Sequence, residues 1–241
     1  MWRRFTVPLL VVVLAVALIM VAQLRDGTEG SDTPPSVQGA PSVQDGPVAR
    51  AIEPEQQPAV ELERRDPADP LAAGPVDAPV VLIAYSDYQC PFCALWAEQT
   101  EPVMMELVAA GDLRIEWRDV NVFGEDSRRA ARAAYAAGLQ DRFWEYHQRL
   151  YSGGDKRSPE QLTEAALVEL AAEVGLDVQR FTTDLRSVEV ADQVQRNEDE
   201  GLGIGAYSTP MFLIGGQPVV GAQPTEVFVQ AVQDARARAD R

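Results

Sequence analysis

Apolar and polar positions divide the chain into three parts. Residues 5–24 carry no ionisable side chain, and residues 9–22 are apolar throughout. About twenty helical residues span the hydrocarbon core of a bilayer, so residues 1–24 are predicted to form a membrane anchor. Arg3 and Arg4 precede the run, and basic residues stay on the cytoplasmic side, which places the N-terminus inside and the remaining chain outside. The run exceeds the apolar core of a usual signal peptide and no clear Ala-x-Ala site follows it, so an uncleaved signal-anchor is favoured over a cleaved leader. Residues 25–58 turn to Gly, Pro, Ser, Gln, Asp and Glu, with too little apolar surface to order themselves. They read as a disordered tether; a flexible coil of about 34 residues reaches roughly 30–35 Å, and proline and like charges extend it.

Residues 59–241 are predicted to form one α/β domain. Val60, Glu61, Leu62 and Glu63 alternate as an edge strand does. Residues 79–85 are a β-branched, apolar run with the length of a buried strand. Phe92, Leu95, Trp96, Val103 and Leu107 then follow in a helix-forming stretch that Pro102 interrupts or kinks and Gly111 ends. Residues 113–120 alternate as a second strand. Strand, helix and strand in that order imply a right-handed parallel crossover.

From about residue 125 to 203 the pattern is helical. Ser158 and Gln161 form a candidate capping box, Leu162, Ala166, Leu167, Leu170 and Val174 share a face, and Gly175 stops the helix. Asp177 is placed to cap a short helix bearing Phe181 and Leu185, and another runs through Val190 and Val194. Residues 211–214 and 217–220 flank Gly215 and Gly216, a hairpin signal. Pro218 cannot donate to a ladder and puts the hairpin at a sheet edge. A last helix from about Pro224 carries Val227, Phe228, Ala231, Val232 and Ala235.

Charge narrows the partners. With 21 Lys and Arg against 37 Asp and Glu, the formal net charge is −16, which argues against nucleic acid and against docking on an anionic membrane surface.

Chemistry concentrates in the only two cysteines, Cys90 and Cys93, at the junction between the strand of residues 79–85 and the helix after it. Pro91 suits a first helical turn, where a missing N–H costs nothing. Residues three apart in such a turn lie about 5–6 Å from each other, within the Cα separation of a disulfide. Cys90 faces unpaired N–H groups and the positive helix end, a placement that lowers a thiol pKa from about 8.5 to roughly 3.5–7.5. Its expected position is exposed, with Cys93 more buried and acting as the resolving thiol. Phe92, between them, supplies no side-chain hydrogen bond to a Cys90 thiolate. A zinc site needs four ligands, and only His147 stands beside the two cysteines. A structural bridge over so short a loop would restrain little of the unfolded chain. Half a zinc site, a structural bridge and two unrelated core thiols are the competing readings; redox activity is favoured over them because C-x-x-C near a βαβ pattern is a recognised signal, and no cofactor or metal is expected. His147 lies in the aromatic stretch of residues 143–147 and reads as structural or surface, with Trp144 and Tyr146 in the core.

The block Ser86-Asp87-Tyr88-Gln89-Cys90-Pro91-Phe92-Cys93, together with Gly205-Ala206-Tyr207-Ser208-Thr209-Pro210-Met211-Phe212, resembles the DsbA-like thiol–disulfide oxidoreductases of bacterial envelopes, in their membrane-anchored branch. The resemblance covers about residue 66 to the C-terminus. It implies a thioredoxin fold with a helical insertion, catalysis by Cys90 and Cys93, and active-site support from Pro91, Phe92, Thr209 and Pro210. It also implies a cis proline at Pro210 facing the disulfide, and a Thr209 backbone that pairs with an extended substrate. Many members carry a buried acid six positions before the first cysteine, which assists proton transfer from the resolving thiol. This chain has Ala84 there, which leaves water or Asp87, read as a solvated turn residue, as acceptors.

The implied partners are folding exported proteins and a membrane redox protein, DsbB-like or vitamin-K-epoxide-reductase-like. A dithiol oxidase is the expected activity; a reductase or isomerase runs the same steps backward, and a non-catalytic adaptor or chaperone would use the groove at Pro210 alone. Sequencing the mature N-terminus tests the anchor: an intact start is expected, and a start between residues 23 and 30 would mean cleavage.

Overall fold

A computed structural model of the chain describes residues 62–151 and 153–239. The anchor and tether expectations fall on residues outside these. Among the described residues no helix is long and apolar enough to cross a membrane.

Five strands form one mixed sheet in the order β1-β3-β2-β4-β5. Strand β2 (Val80–Ser86) and strand β3 (Leu113–Asp119) pair in parallel, Val80 opposite Leu113 through Ser86 opposite Asp119. Strand β4 (Met211–Ile214) runs antiparallel to β2, and β5 (Gln217–Val220) closes the hairpin at the edge, where Pro218 pairs with Leu213. The edge strand expected at residues 60–63 is absent from the described residues 62 and 63; β1 is instead the two-residue Ala72–Ala73, antiparallel to β3. The chain is pinned there by side chains rather than by a ladder, as described below.

Between β2 and β3 the helix breaks at Thr100, two residues before Pro102, giving α1 (Pro91–Gln99) and α2 (Glu101–Ala109). The break precedes the proline because its ring is tolerated only in a first turn. The insertion comprises α3 (Glu125–Gly138), α4 (Phe143–Leu150), a 3₁₀ turn at Pro159–Leu162, α5 (Glu164–Val174), α6 (Val178–Leu185) and α7 (Val188–Gly203). The Ser158 and Gln161 box caps only the 3₁₀ turn; Thr163 caps α5 through Ala166 N–H, and Gly175 ends it in the left-handed region at φ 82°. Asp177 caps α6 at 2.9 Å from Arg180 N. Helix α8 (Thr225–Ala239) ends the described chain and buries Phe228, Val232 and Ala235, while Val227 is exposed.

The two faces of the sheet differ. Val80, Leu82, Ala84, Leu113, Ile115, Trp117, Phe212 and Ile214 join one large core with Cys90, Cys93, Trp96 and the insertion helices. Val81, Ile83 and Tyr85 form a smaller cluster with Val120 and Ala206 on the other face. There α7 approaches so closely that a Cβ on Gly201 would sit 2.5 Å from Val120 Cγ2.

Strand β3 alternates apolar with charged residues, yet all seven are buried. Arg114, Glu116 and Arg118 occupy the smaller face beneath residues 64–69 and α7. Glu116 accepts from the N–H groups of Arg64 and Arg65 at 3.0 and 2.7 Å and pairs with Arg114 and Arg118 at 3.0 and 2.9 Å. Arg118 also reaches Asp69 at 3.2 Å and Glu200 at 3.3 Å. Burial pushes the Glu116 carboxyl up, but those N–H groups and guanidiniums hold it below the usual carboxylate range. Removing one partner of a buried ion pair leaves an uncompensated charge and costs about 3–5 kcal/mol. Urea unfolding of Glu116→Gln at neutral pH is expected to show a loss of about that size; a loss below about 1 kcal/mol would mark the network as dispensable.

Candidate active site

Strand β2 delivers the chain to the cysteines through the turn of residues 87–90, closed by Cys90 N–H donating to the Asp87 carbonyl at 3.0 Å. Cys90 is the N-cap of α1, with extended backbone at φ −89°, and Pro91 occupies the first turn. The Cys90 carbonyl accepts from the N–H groups of Cys93 and Ala94 at 3.1 and 3.2 Å. Both cysteines are free thiols.

The Thr209–Pro210 peptide is cis, as the resemblance implied. The Cys90 thiol donates to the Thr209 carbonyl at 3.2 Å, so all six residues singled out in the sequence converge. Cys93 contributes most to lowering the Cys90 pKa, its thiol donating to a Cys90 thiolate; burial opposes, and the backbone N–H groups of Cys93 and Phe92 add to the lowering. Together they bring Cys90 down to about 6. Burial pushes Cys93 well up, and the Cys90 charge adds to it. The pair holds one negative charge, on the front sulfur.

The expectation of an exposed front cysteine needs correction: Cys90 is 2% exposed. The Thr209 carbonyl meets the sulfur, while the adjoining Phe92 is 61% exposed and Pro91 is exposed as well. Asp87 is likewise no solvated turn residue but 1% exposed. Its Oδ1 accepts from Gln89 N at 2.7 Å and its Oδ2 from Phe123 N at 3.1 Å, and burial raises its carboxyl pKa.

His147 is fully buried rather than on the surface. Its Nε2 donates to Glu101 Oε2 at 2.8 Å, which leaves Nδ1 to accept from the Tyr88 hydroxyl at 2.9 Å when the ring is neutral. Trp117 packs edge-on at a centroid distance of 4.3 Å. Tyr88 stacks on Tyr151 at 5.0 Å, and the Tyr151 hydroxyl donates to the Asp87 carbonyl at 2.9 Å. Tyr146 is core, and Trp144 is partly buried. Ala84 pairs with Trp117, whose Nε1 donates to Asp119 Oδ1 at 2.9 Å. Asp119 is wholly buried, which pushes its carboxyl up to about 7. Ser86, Glu101, Asp119 and Tyr151 escaped the sequence reading because four separate elements bring them together. Only the strand parity that aligns Ser86 with Ala84 and Asp119 with Trp117 was a usable signal.

Residues 67–234 match the family described as Thioredoxin. The chain is similar to a Na⁺/H⁺ antiporter NhaA 3 of Salinispora tropica, 32% identical over 180 residues, covering 72% of this chain but 26% of that protein. It therefore spans about a quarter of that relative's length. It is also similar to a probable disulfide bond formation protein D of Bacillus anthracis, 28% identical, covering 59% of this chain and 68% of the relative. Among solved structures, α-DsbA1 of Wolbachia pipientis superposes with a TM-score of 0.62 at 17% identity, covering 70% of this chain and 92% of that one. At that identity the likeness is one of fold.

Thiolate absorbance of the reduced protein is expected to show one group titrating at about 6 and the second only well above the usual thiol range. In Cys93→Ala the Cys90 midpoint should rise, since its largest stabilising donor is gone. An unchanged midpoint would assign the stabilisation to the helix N–H groups alone.

Proposed function

This chain belongs to the thioredoxin family and has a DsbA-like fold, and on that premise we propose that it is an extracytoplasmic thiol–disulfide oxidoreductase acting through Cys90 and Cys93. The observation that carries this reading is a single contact: a sulfur whose pKa is lowered to about 6 sits 3.2 Å from the Thr209 carbonyl, beside Pro210. A cheaply held thiolate is a good leaving group, which favours a disulfide that is readily reduced and hence the oxidase direction.

In that direction a substrate thiolate attacks Cys90 Sγ, the Cys90–Cys93 bond breaks, and its electron pair goes to Cys93. A second substrate thiolate then attacks the substrate sulfur of the mixed disulfide and expels the Cys90 thiolate. The substrate leaves oxidised, and a membrane protein reoxidises the dithiol. The Thr209 backbone is the edge on which an extended substrate pairs. Around it Phe92, Phe123 and Tyr207 are exposed by 61%, 56% and 73%, a rim suited to the apolar side chains of an unfolded chain. The name of the Bacillus anthracis relative supports action outside the cytoplasm. The apolar run of residues 9–22 supports a single-pass anchor, with residues 25–58 as tether and residues 59–241 as the catalytic domain.

Two measurements test the proposal. Cys93→Ser should accumulate mixed disulfides through Cys90 with exported proteins; partners retained when both cysteines are serine would indicate an adaptor instead. Equilibration with glutathione should give a potential near about −120 mV for an oxidase, whereas about −270 mV would make it a reductase.

A further inference from the structure

Breaking or closing the Cys90–Cys93 bond moves a proton at Cys93 as well as electrons. That thiol is buried and its pKa is raised, so it needs a local acceptor. Three buried carboxyl groups stand on the elements packed around the cysteines. Asp87 has both oxygens engaged by backbone N–H groups. Glu101 holds His147. Asp119 differs: it is wholly buried, Oδ1 accepts from Trp117, and Oδ2 has no partner among the described residues.

Position makes that free oxygen relevant. The parallel register sets Asp119 beside Ser86, with neighbouring strands about 4.8 Å apart. Alternation places Ser86 on the face of Leu82 and Ala84, and Asp119 on the face of Ile115 and Trp117, which is the face that Cys93 and α1 cover. The Ser86 hydroxyl is a hydrogen-bond partner of the Cys93 sulfur and lies 3.5 Å from the Tyr151 hydroxyl, whose own proton goes to the Asp87 carbonyl. The Ser86 hydroxyl thus bonds the sulfur on one side and shares its sheet face with the adjacent Asp119, whose buried Oδ2 makes no hydrogen bond among the described residues.

Resting on the oxidoreductase reading, we propose that Asp119 accepts and returns the proton of Cys93, exchanging it through the Ser86 hydroxyl. It acts through Ser86 and positions the proton rather than touching the sulfur. In resolution, the Cys93 proton passes to Asp119, the Cys93 thiolate attacks Cys90 Sγ, the bond from Cys90 to the substrate sulfur breaks, and the electron pair leaves on the substrate. In the oxidase direction the substrate thiolate attacks Cys90, Cys93 departs with the electron pair, and Asp119 returns the proton to it.

The groups acting on Asp119 are Asp87 and Tyr88 from the turn before α1, Arg118 and Trp117 from its own strand, and His147 from α4 with Glu101 behind it. Burial outweighs the lowering by Trp117, His147 and Arg118, so the carboxyl changes charge at about 7, where an acid and a base of equal availability serve both directions.

The test is the two-phase reaction of the reduced full chain with dithiobis(nitrobenzoate). Attack by Cys90 releases the first thionitrobenzoate, and attack by Cys93 on Cys90 Sγ releases the second. In the wild type the second release should slow as pH falls through about 7, because Asp119 becomes protonated. Asp119→Asn retains an acceptor for Trp117 and should lower the ratio of second to first rate by about 10²-fold at neutral pH, removing that inflection. Asp119→Glu should restore part of the ratio, and Ser86→Ala should lower it. A wild-type second phase without an inflection near 7, or a ratio unchanged in Asp119→Asn, overturns the proposal while the first release continues. The wild-type profile decides alone if Asp119→Asn does not fold. Absence of the first release would overturn the oxidoreductase reading itself.

Discussion

One negative charge shared unequally by two sulfurs is the constraint on which the molecule depends. Cys90 holds it because the Cys93 thiol and helix N–H groups donate to it, and Cys93 is denied it by burial and by the charge already present. Both effects need the pair at a helix start with one sulfur nearer the surface. That placement comes from a buried strand ending at Ser86, a turn closed on the Asp87 carbonyl, and Pro91 opening α1. The opposite wall is the Thr209 carbonyl, brought in by the strand that pairs with β2 on its other side.

Beneath the sulfurs the core is polar in a controlled way. Tyr88, His147 and Glu101 form a buried chain of hydrogen bonds, walled by Trp117 and Tyr151. A buried polar chain is tolerable only when its members are paired. It fixes the turn carrying the cysteines to α2 and α4, so the helical insertion contributes to the site as a rigid wall rather than an appendage. Asp119 Oδ2, buried and without a partner among the described residues, stands out against that background.

Local rules carried much of the architecture. The C-x-x-C turn, Pro91, the Gly-Gly hairpin and the Asp177 cap each depend on neighbours in sequence, and each is where its residues place it, whereas the cis bond before Pro210 was implied by the family resemblance. What local rules could not supply is convergence. Alternation in β3 has the pattern of a solvent-facing strand, because a buried row of Arg114, Glu116 and Arg118 looks the same in sequence as an exposed one; only the covering segment and α7 distinguish them. His147 had no visible partners in sequence, since Glu101 lies 46 residues away. The edge strand Ala72–Ala73 is too short to have a period. The burial of Cys90 and Asp87 is invisible in sequence for a similar reason: Thr209 and Phe123, which engage them, come from distant loops.

The ion network on the far side of β3 also settles the direction from which the domain can be handled. Arg64 and Arg65 are riveted to Glu116, on the face of the sheet turned away from the sulfurs. The first described residues are therefore held on the sheet face opposite the sulfurs. A pull on Arg64 or Arg65 is borne by β3 through Glu116 rather than by the turn that holds the sulfurs.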